Sequence, residues 1–177
     1  MNEKNIVIRK LNELNTLYYD RQNPARGSSE AVLEQMEFLL MSYLEKSPQD
    51  TDMWLRLCML EYTPPWQDYE RLEKYIMNIL VYDENNVQAL LVLAYAQYVL
   101  RGDANHDLFI RLQKCCDVTI DKESLSMLYL AIAWYHNSWP LKNKEKYELS
   151  LLKSIAYCSN HVKNYKSLGK LYLETGR

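Results

Sequence analysis

A short pattern recurs five times along this chain of 177 residues, and it constrains the fold more than any other feature. In its clearest copy, Tyr165 is followed after two residues by Leu168-Gly169 and after two more by Tyr172. The other copies keep the central leucine and vary the flanking residues. The leucines are Leu14, Leu57, Leu93, Leu130 and Leu168, in steps of 43, 36, 37 and 38 residues. Self-similarity at such a period is typical of proteins built from stacked supersecondary units.

Each step leaves room for a second helix. Apolar residues at three- and four-residue spacing predict helices over 29–46, 67–82, 105–118 and 143–158. Helix-start residues precede three of these segments: Ser28 or Ser29, Asp103 or Asn105, and Asn143. We therefore predict an all-α fold of about nine helices, in four antiparallel pairs plus one unpaired first helix. An irregular helical bundle is the alternative.

Three segments carry a family resemblance: "SPQDTDMW" (47–54), "VYDENNVQALLVLA" (81–94) and "YKSLGKLYLETGR" (165–177). They resemble the tetratricopeptide repeat family, whose usual period of about 34 residues is shorter than the steps found here. The resemblance implies a divergent array that winds into a right-handed superhelix with a concave groove. It also implies one domain, 1–177, with approximate units 1–50, 51–86, 87–122, 123–161 and a half unit 162–177.

One column of the repeat carries tyrosine in four units and leucine in the last, at Tyr19, Tyr62, Tyr98, Tyr135 and Leu173. In tetratricopeptide repeat proteins this column, and the residues three and seven before it, tend to line the groove. The implied partner-binding residues are Tyr19, Leu55, Met59, Tyr62, Leu91, Tyr95, Tyr98, Leu128, Ile132, Tyr135, Lys166 and Lys170. The expected ligand has apolar anchors and an acidic end. The alternative is that these tyrosines pack between helices with their hydroxyls at the rim.

Composition and charge narrow the class of partner and the compartment. The net charge of −2 argues against a dedicated nucleic-acid binder. The longest apolar run, 89–100, is too short to span a bilayer. No secretory signal is visible, and the 4 cysteines have no disulfide-framework spacing, so we expect a cytoplasmic protein.

The sequence offers little for catalysis. Cys158 and His161 have the spacing of two metal ligands, but no second pair accompanies them. Cys115 and Cys116 are adjacent and predict one buried and one partly exposed thiol. No nucleotide-binding or hydrolase motif occurs, and we predict neither a metal nor another cofactor.

We therefore predict a non-catalytic interaction module or adaptor that binds a protein or peptide segment. The carboxylate clamp of some tetratricopeptide repeat co-chaperones is not supported, because Leu55, Met59 and Leu91 occupy the corresponding faces. One alternative is a small cytoplasmic chaperone for a secreted substrate, similar to the tetratricopeptide repeat chaperones of type III secretion. A second is a scaffold that self-associates through the last half unit, where exposure of Leu171 or Leu173 would indicate a truncated or self-associating end. An enzyme is the remaining alternative.

Overall fold

The computed structural model describes residues 2–20, 28–61 and 68–176, and this part of the chain is all-α with no β-strand. The predicted fold class and the expected number of about nine helices are confirmed for these residues. The helices are α1 (Glu3–Tyr19), α2 (Ser29–Leu44), α3 (Thr51–Glu61), α4 (Tyr69–Tyr82), α5 (Val87–Ala94), α6 (His106–Val118), α7 (Lys122–Asn137), α8 (Lys144–Tyr157) and α9 (Val162–Thr175). A π-helical segment, Tyr95–Arg101, continues α5.

Three of these helices begin at residues that the sequence marks as caps. The side chain of Ser28 accepts a hydrogen bond from the Ala31 amide at 3.0 Å. Asn105 caps α6 and Asn143 caps α8 in the same way, each at 3.0 Å. A short polar side chain at this position satisfies an amide that has no partner inside the helix. The starts of α2, α6 and α8 are thus set by local chemistry.

The chain divides into two compact units, Met1–Glu84 and Asn85–Arg177. In the N-terminal unit, consecutive helices pack together: α1 on α2, α2 on α3, and α3 on α4. In the C-terminal unit, α7 packs against α5, α6 and α8, and α9 packs on α8. Neighbouring helices in sequence are therefore neighbours in space within each unit. A superhelix that runs through all five predicted repeat units stays a prediction.

The leucine-small pair of the repeat belongs to the core in the three central copies. The buried pairs are Leu57-Cys58, Leu93-Ala94 and Leu130-Ala131. The outer copies differ, since Asn15 and Gly169 are both exposed. A Cβ built at Gly169 meets no atom within 4 Å. The small residue is therefore needed only where another helix covers it.

α7, α8 and α9 share a hydrophobic cluster, which comprises Leu130, Ala133, Tyr147, Leu151 and Leu171. Leu151 has no solvent-accessible surface and lies at the centre of α8. Met127, Trp134 and Leu168 pack around the cluster and are partly buried. Burial of such side chains is the main favourable term in folding, so this cluster anchors α9 to the unit.

Two backbone hydrogen bonds join the loop after the π-helical segment to the loop between α7 and α8. The Trp139 amide donates to the Gly102 carbonyl at 2.9 Å, and the Ala104 amide donates to the Trp139 carbonyl at 3.1 Å. Gly102 has a φ of 76°, a conformation that favours glycine. The indole of Trp139 points outward and is exposed, with Lys142 Nζ 5.7 Å from its centroid. The backbone of Trp139 is thus held by hydrogen bonds, while its indole side chain is exposed to solvent.

Candidate partner-binding site

A cleft of about 290 Å³ lies between α1, α2 and α3 of the N-terminal unit. Buried apolar side chains form its floor: Leu11, Met36, Leu40 and Leu60. Tyr19 from α1 and Met59 from α3 stand at its rim, and both side chains are more than half exposed. Both residues belong to the groove predicted from the sequence. The structure therefore brings together two of the predicted residues from different helices.

Polar side chains complete the lining of this cleft. Asn12 and Asn15 project from α1, and Arg56 projects from α3. Arg56 Nε lies 3.6 Å from the Asp52 carboxylate, too long for a hydrogen bond, although the two charges still attract. An asparagine amide can both donate to and accept from the backbone of an extended peptide. The cleft thus offers apolar contacts together with hydrogen-bonding groups.

Two other residues of this unit were predicted to bind the partner, Leu55 and Tyr62. Leu55 is half-buried on α3 and is not among the residues that line the cleft. Tyr62 lies outside the described residues.

In the C-terminal unit, Leu91 and Tyr95 are half-buried, and the Tyr95 ring packs edge-on against Trp134 at 5.7 Å. The four other predicted groove residues of α7 and the π-helical segment are buried: Tyr98, Leu128, Ile132 and Tyr135. A buried side chain offers a partner almost no surface in this conformation. These four side chains therefore pack mainly inside the unit, although Ile132 also lines a cleft of the same unit.

The first turn of α6 covers Tyr98 and Tyr135. The Tyr98 hydroxyl donates to the Asn105 carbonyl at 2.8 Å. The Phe109 ring stacks on Tyr135 with 4.2 Å between centroids, and His106 Nδ1 lies 3.0 Å from the Tyr135 hydroxyl. Burial raises the pKa of Tyr98 and of Tyr135, so both hydroxyls remain protonated at neutral pH. This arrangement agrees with the alternative that these tyrosines pack between helices.

α9 carries the predicted basic residues and an exposed apolar stripe. Lys166 and Lys170 are exposed. Val162, Tyr165 and Leu173 are also exposed, and their spacing places them on one face of the helix. Leu173 is 84% exposed, whereas Leu171 is 3% exposed and faces the core. Exposure of Leu173 is the feature predicted for a truncated or self-associating end, and self-association itself stays a prediction.

A serine and a histidine that are 35 residues apart lie together in the C-terminal unit, which no sequence motif indicates. Ser126 Oγ is 3.1 Å from His161 Nδ1. Ser126 has no accessible surface, and its hydroxyl also donates to the Ser154 carbonyl at 2.9 Å. Asn164 Nδ2 donates to Ser154 Oγ at 2.7 Å, which extends the network to α9. Because a substrate cannot reach Ser126, the network serves helix packing rather than nucleophilic attack.

The thiols and the possible metal ligands show no reactive arrangement in residues 2–20, 28–61 and 68–176. Burial raises the pKa of Cys58 to about 12 and that of Cys116 to about 11, so both are protonated at neutral pH. Over the same ranges, no group of three or more histidine, cysteine or acidic side chains could hold a metal ion. No helix in this part of the chain is long and apolar enough to cross a membrane.

Glu61 is a buried carboxylate at the end of α3, at the position that corresponds to Tyr172 in the last copy of the repeat. Arg71 Nε lies 3.3 Å from Glu61 Oε1, but Arg71 also pairs with Glu37. Tyr75 joins this group, since its hydroxyl donates to Glu37 Oε1 at 3.1 Å. Burial and the charge of Asp68 raise the pKa of Glu61 to about 7. One arginine shared by two carboxylates does not offset the cost of burying the Glu61 charge.

Comparison of the chain with models of known protein families, with curated proteins and with solved structures finds no match. The described residues define an all-α protein in which sequential helices pack together within each of the two units, and in the N-terminal unit an open cleft combines apolar and polar groups. The resemblance to tetratricopeptide repeats depends on the three quoted segments and stays a prediction.

Proposed function

We propose that the protein is a non-catalytic interaction module that binds a segment of a partner protein in the cleft between α1 and α3. The observation that carries this proposal is the pair Tyr19 and Met59, two exposed large side chains from different helices above an apolar floor. Burying the exposed part of Met59 against a partner contributes about 1–2 kcal/mol, and tyrosine is enriched among residues that dominate binding energy.

The polar lining supports an extended peptide as the ligand. Asn12 and Asn15 offer amide groups that can pair with a peptide backbone, and Arg56 offers a positive charge. The resemblance to tetratricopeptide repeats supports the same conclusion, because that family binds protein segments along its first helices. The proposed ligand is therefore a peptide with apolar anchors and an acidic residue near Arg56.

A pair of methionines of nearly equal exposure provides the test. Met59 is 57% exposed and lines the cleft, whereas Met77 is 54% exposed on α4 and does not. Peptides selected by wild-type protein from a random phage library are measured by fluorescence polarisation. We expect Met59→Glu to weaken binding by about tenfold or more, since it removes an apolar contact worth about 1–2 kcal/mol and places a charge against the partner. Met77→Glu should bind like wild type. Equal affinities of all three proteins would contradict the proposal.

A second candidate function is self-association through α9, and the exposed stripe of Val162, Tyr165 and Leu173 favours it. Leu173→Glu is expected to shift a dilution series toward monomer in sedimentation velocity, because it places a charge in an apolar contact. Val118→Glu is the matched control, since Val118 is 75% exposed on α6 and Leu173 is 84% exposed. A wild-type protein that is monomeric over the whole concentration range would exclude this function.

A further inference from the structure

A second cleft, of about 250 Å³, lies between α6, α7 and α8 of the C-terminal unit. It is smaller than the roughly 300–1,000 Å³ of a site for a drug-sized ligand, so it suits one or two side chains of a partner. α8 supplies one wall with four residues that share a helix face: Lys146, Leu149, Ser150 and Lys153. On this face the positive charges of Lys146 and Lys153 lie on either side of the apolar Leu149.

In the part of the chain that the structure describes, the two lysines form no ion pair with an acidic side chain. Among the described residues, no carboxylate lies within 4 Å of Lys146 Nζ or Lys153 Nζ. Ammonium groups on most protein surfaces point into open solvent, but Lys153 Nζ lies 5.2 Å from the centroid of the Tyr129 ring. A cation over an aromatic face is attracted to it, so Tyr129 fixes the ammonium at the cleft.

Tyr129 is itself held in place. Its ring stacks on Tyr157 with 5.5 Å between centroids and 5° between planes. The aromatic pair therefore restrains Lys153, so this ammonium loses less side-chain freedom when it binds an anion.

The opposite wall and the floor define which ligand fits. Asp117 on α6 is the one carboxylate among the described lining residues, against two ammonium groups. Ile132, which the sequence analysis placed in a partner groove, is part of the lining and is buried, while Leu149 is more than half exposed. Positive charge beside apolar surface complements an acidic group next to an apolar one.

The lining does not suit covalent chemistry. Burial raises the pKa of the Cys116 thiol to about 11, which leaves it protonated at neutral pH. Burial, assisted by the charge of Lys146, lowers the pKa of His136, so that imidazole is neutral. The described lining residues therefore suit the binding of an anion rather than nucleophilic catalysis.

We propose that this cleft is an anion-binding site, in which Lys146 and Lys153 bind a carboxylate or phosphate side chain of a partner peptide while a neighbouring apolar residue of that peptide contacts the exposed Leu149. The proposal concerns the C-terminal unit alone and does not rest on the cleft between α1 and α3. Failure of either proposal leaves the other standing.

The test uses the full chain, isotope-labelled, and short peptides titrated in nuclear magnetic resonance experiments. The probes are a capped Leu-Glu-Glu-Leu peptide, the same peptide with glutamine for glutamate, the phosphoserine analogue, and inorganic phosphate. We expect the acidic peptides to shift the amide signals of Tyr129, Lys146 and Lys153, and the glutamine peptide to leave them unchanged. Binding should weaken between about 50 mM and about 500 mM salt, since salt screens exposed charges.

The double variant Lys146→Glu/Lys153→Glu should bind the acidic peptides about tenfold more weakly, because each solvent-exposed ion pair contributes a few-fold. Lys144→Glu is the matched control, an exposed lysine of the same helix outside the cleft. Lys144→Glu should bind the acidic peptides within about twofold of wild type. The neutral variant Lys146→Gln/Lys153→Gln removes both charges without reversing them, so its loss of affinity should lie between those of wild type and the glutamate variant. It also serves as the test if the glutamate variant does not fold.

Three outcomes would overturn the proposal. The first is equal binding of acidic peptide by wild type and both double variants. The second is equal binding of the glutamate and glutamine peptides. The third is a response to inorganic phosphate with none to either acidic peptide, which would show a site for a free anion rather than for a partner segment.

Discussion

Replacing Leu151 by alanine is expected to lower the free energy of unfolding of the protein by about 3 kcal/mol, within a range of roughly 2–5 kcal/mol. Leu151 has no accessible surface and packs in the cluster that joins α7, α8 and α9. The loss combines the transfer free energy of the removed methyl groups with the cost of the cavity left among Leu130, Tyr147 and Leu171. Urea-induced unfolding followed by circular dichroism at 222 nm measures it, and the midpoint should fall at an unchanged slope.

The next residue in the chain provides the control. Leu152 is 44% exposed on the same helix, so Leu152→Ala makes the same chemical change with the same effect on helix propensity. We expect it to cost less than about 1 kcal/mol, because it opens no closed cavity. Equal losses from the two substitutions would mean that Leu151 is not the centre of a packed cluster.

Glu61→Gln is expected to remove a large pH dependence from the stability of the N-terminal unit. In the folded protein the pKa of Glu61 is about 7, against an ordinary value of 4.5. Between these two pH values the folded chain holds a proton that the unfolded chain has lost. Raising the pH therefore favours unfolding, and the stabilising contribution present below pH 4.5 is lost as the pH rises through 7.

The loss in the wild type relative to Glu61→Gln reaches at most about 3.5 kcal/mol, from about 1.4 kcal/mol per pH unit between the two pKa values of 4.5 and about 7. Urea unfolding at several pH values between 4 and 8.5 measures the difference between the two proteins. Glu34→Gln is the control, because Glu34 is exposed on α2 of the same unit. The free energy of unfolding of Glu34→Gln should change with pH in the same way as that of wild type. A difference between Glu61→Gln and wild type that stays constant with pH would show that Glu61 is ionised in the folded state.

The sequence predicted those parts of the fold that local chemistry determines. Apolar spacing predicted the helices, and Asn105 and Asn143 marked their starts because a capping side chain needs only the amides of the next turn. The leucine-small pairs predicted core positions where a neighbouring helix covers them. In the last copy Leu168 is partly buried but Gly169 is exposed, because no neighbouring atom lies where its side chain would be.

The candidate site could be predicted only in part. Tyr19 and Met59 do line a cleft, but Tyr98 and Tyr135 lie under the first turn of α6. A repeat pattern states which residues share a column and not which neighbouring helix covers that column. The lysine-lined cleft was missed for a related reason, because it requires three helices to meet and its residues form no compact motif. In the sequence, Glu61 differs from Tyr172 of the last copy, but nothing there shows that its carboxylate is buried.

The two backbone hydrogen bonds of Trp139, with Gly102 and Ala104, lower the entropy that this residue would lose on binding another molecule. An exposed indole on an unrestrained loop must give up backbone freedom when it meets another surface, which costs about 1–2 kcal/mol per residue fixed. Here the hydrogen bonds to Gly102 and Ala104 have already fixed that residue during folding. Only the rotation of the side chain is left to lose, and Lys142 beside the ring limits that as well. The indole is therefore presented to solvent in a conformation that contact with another molecule would need to change little.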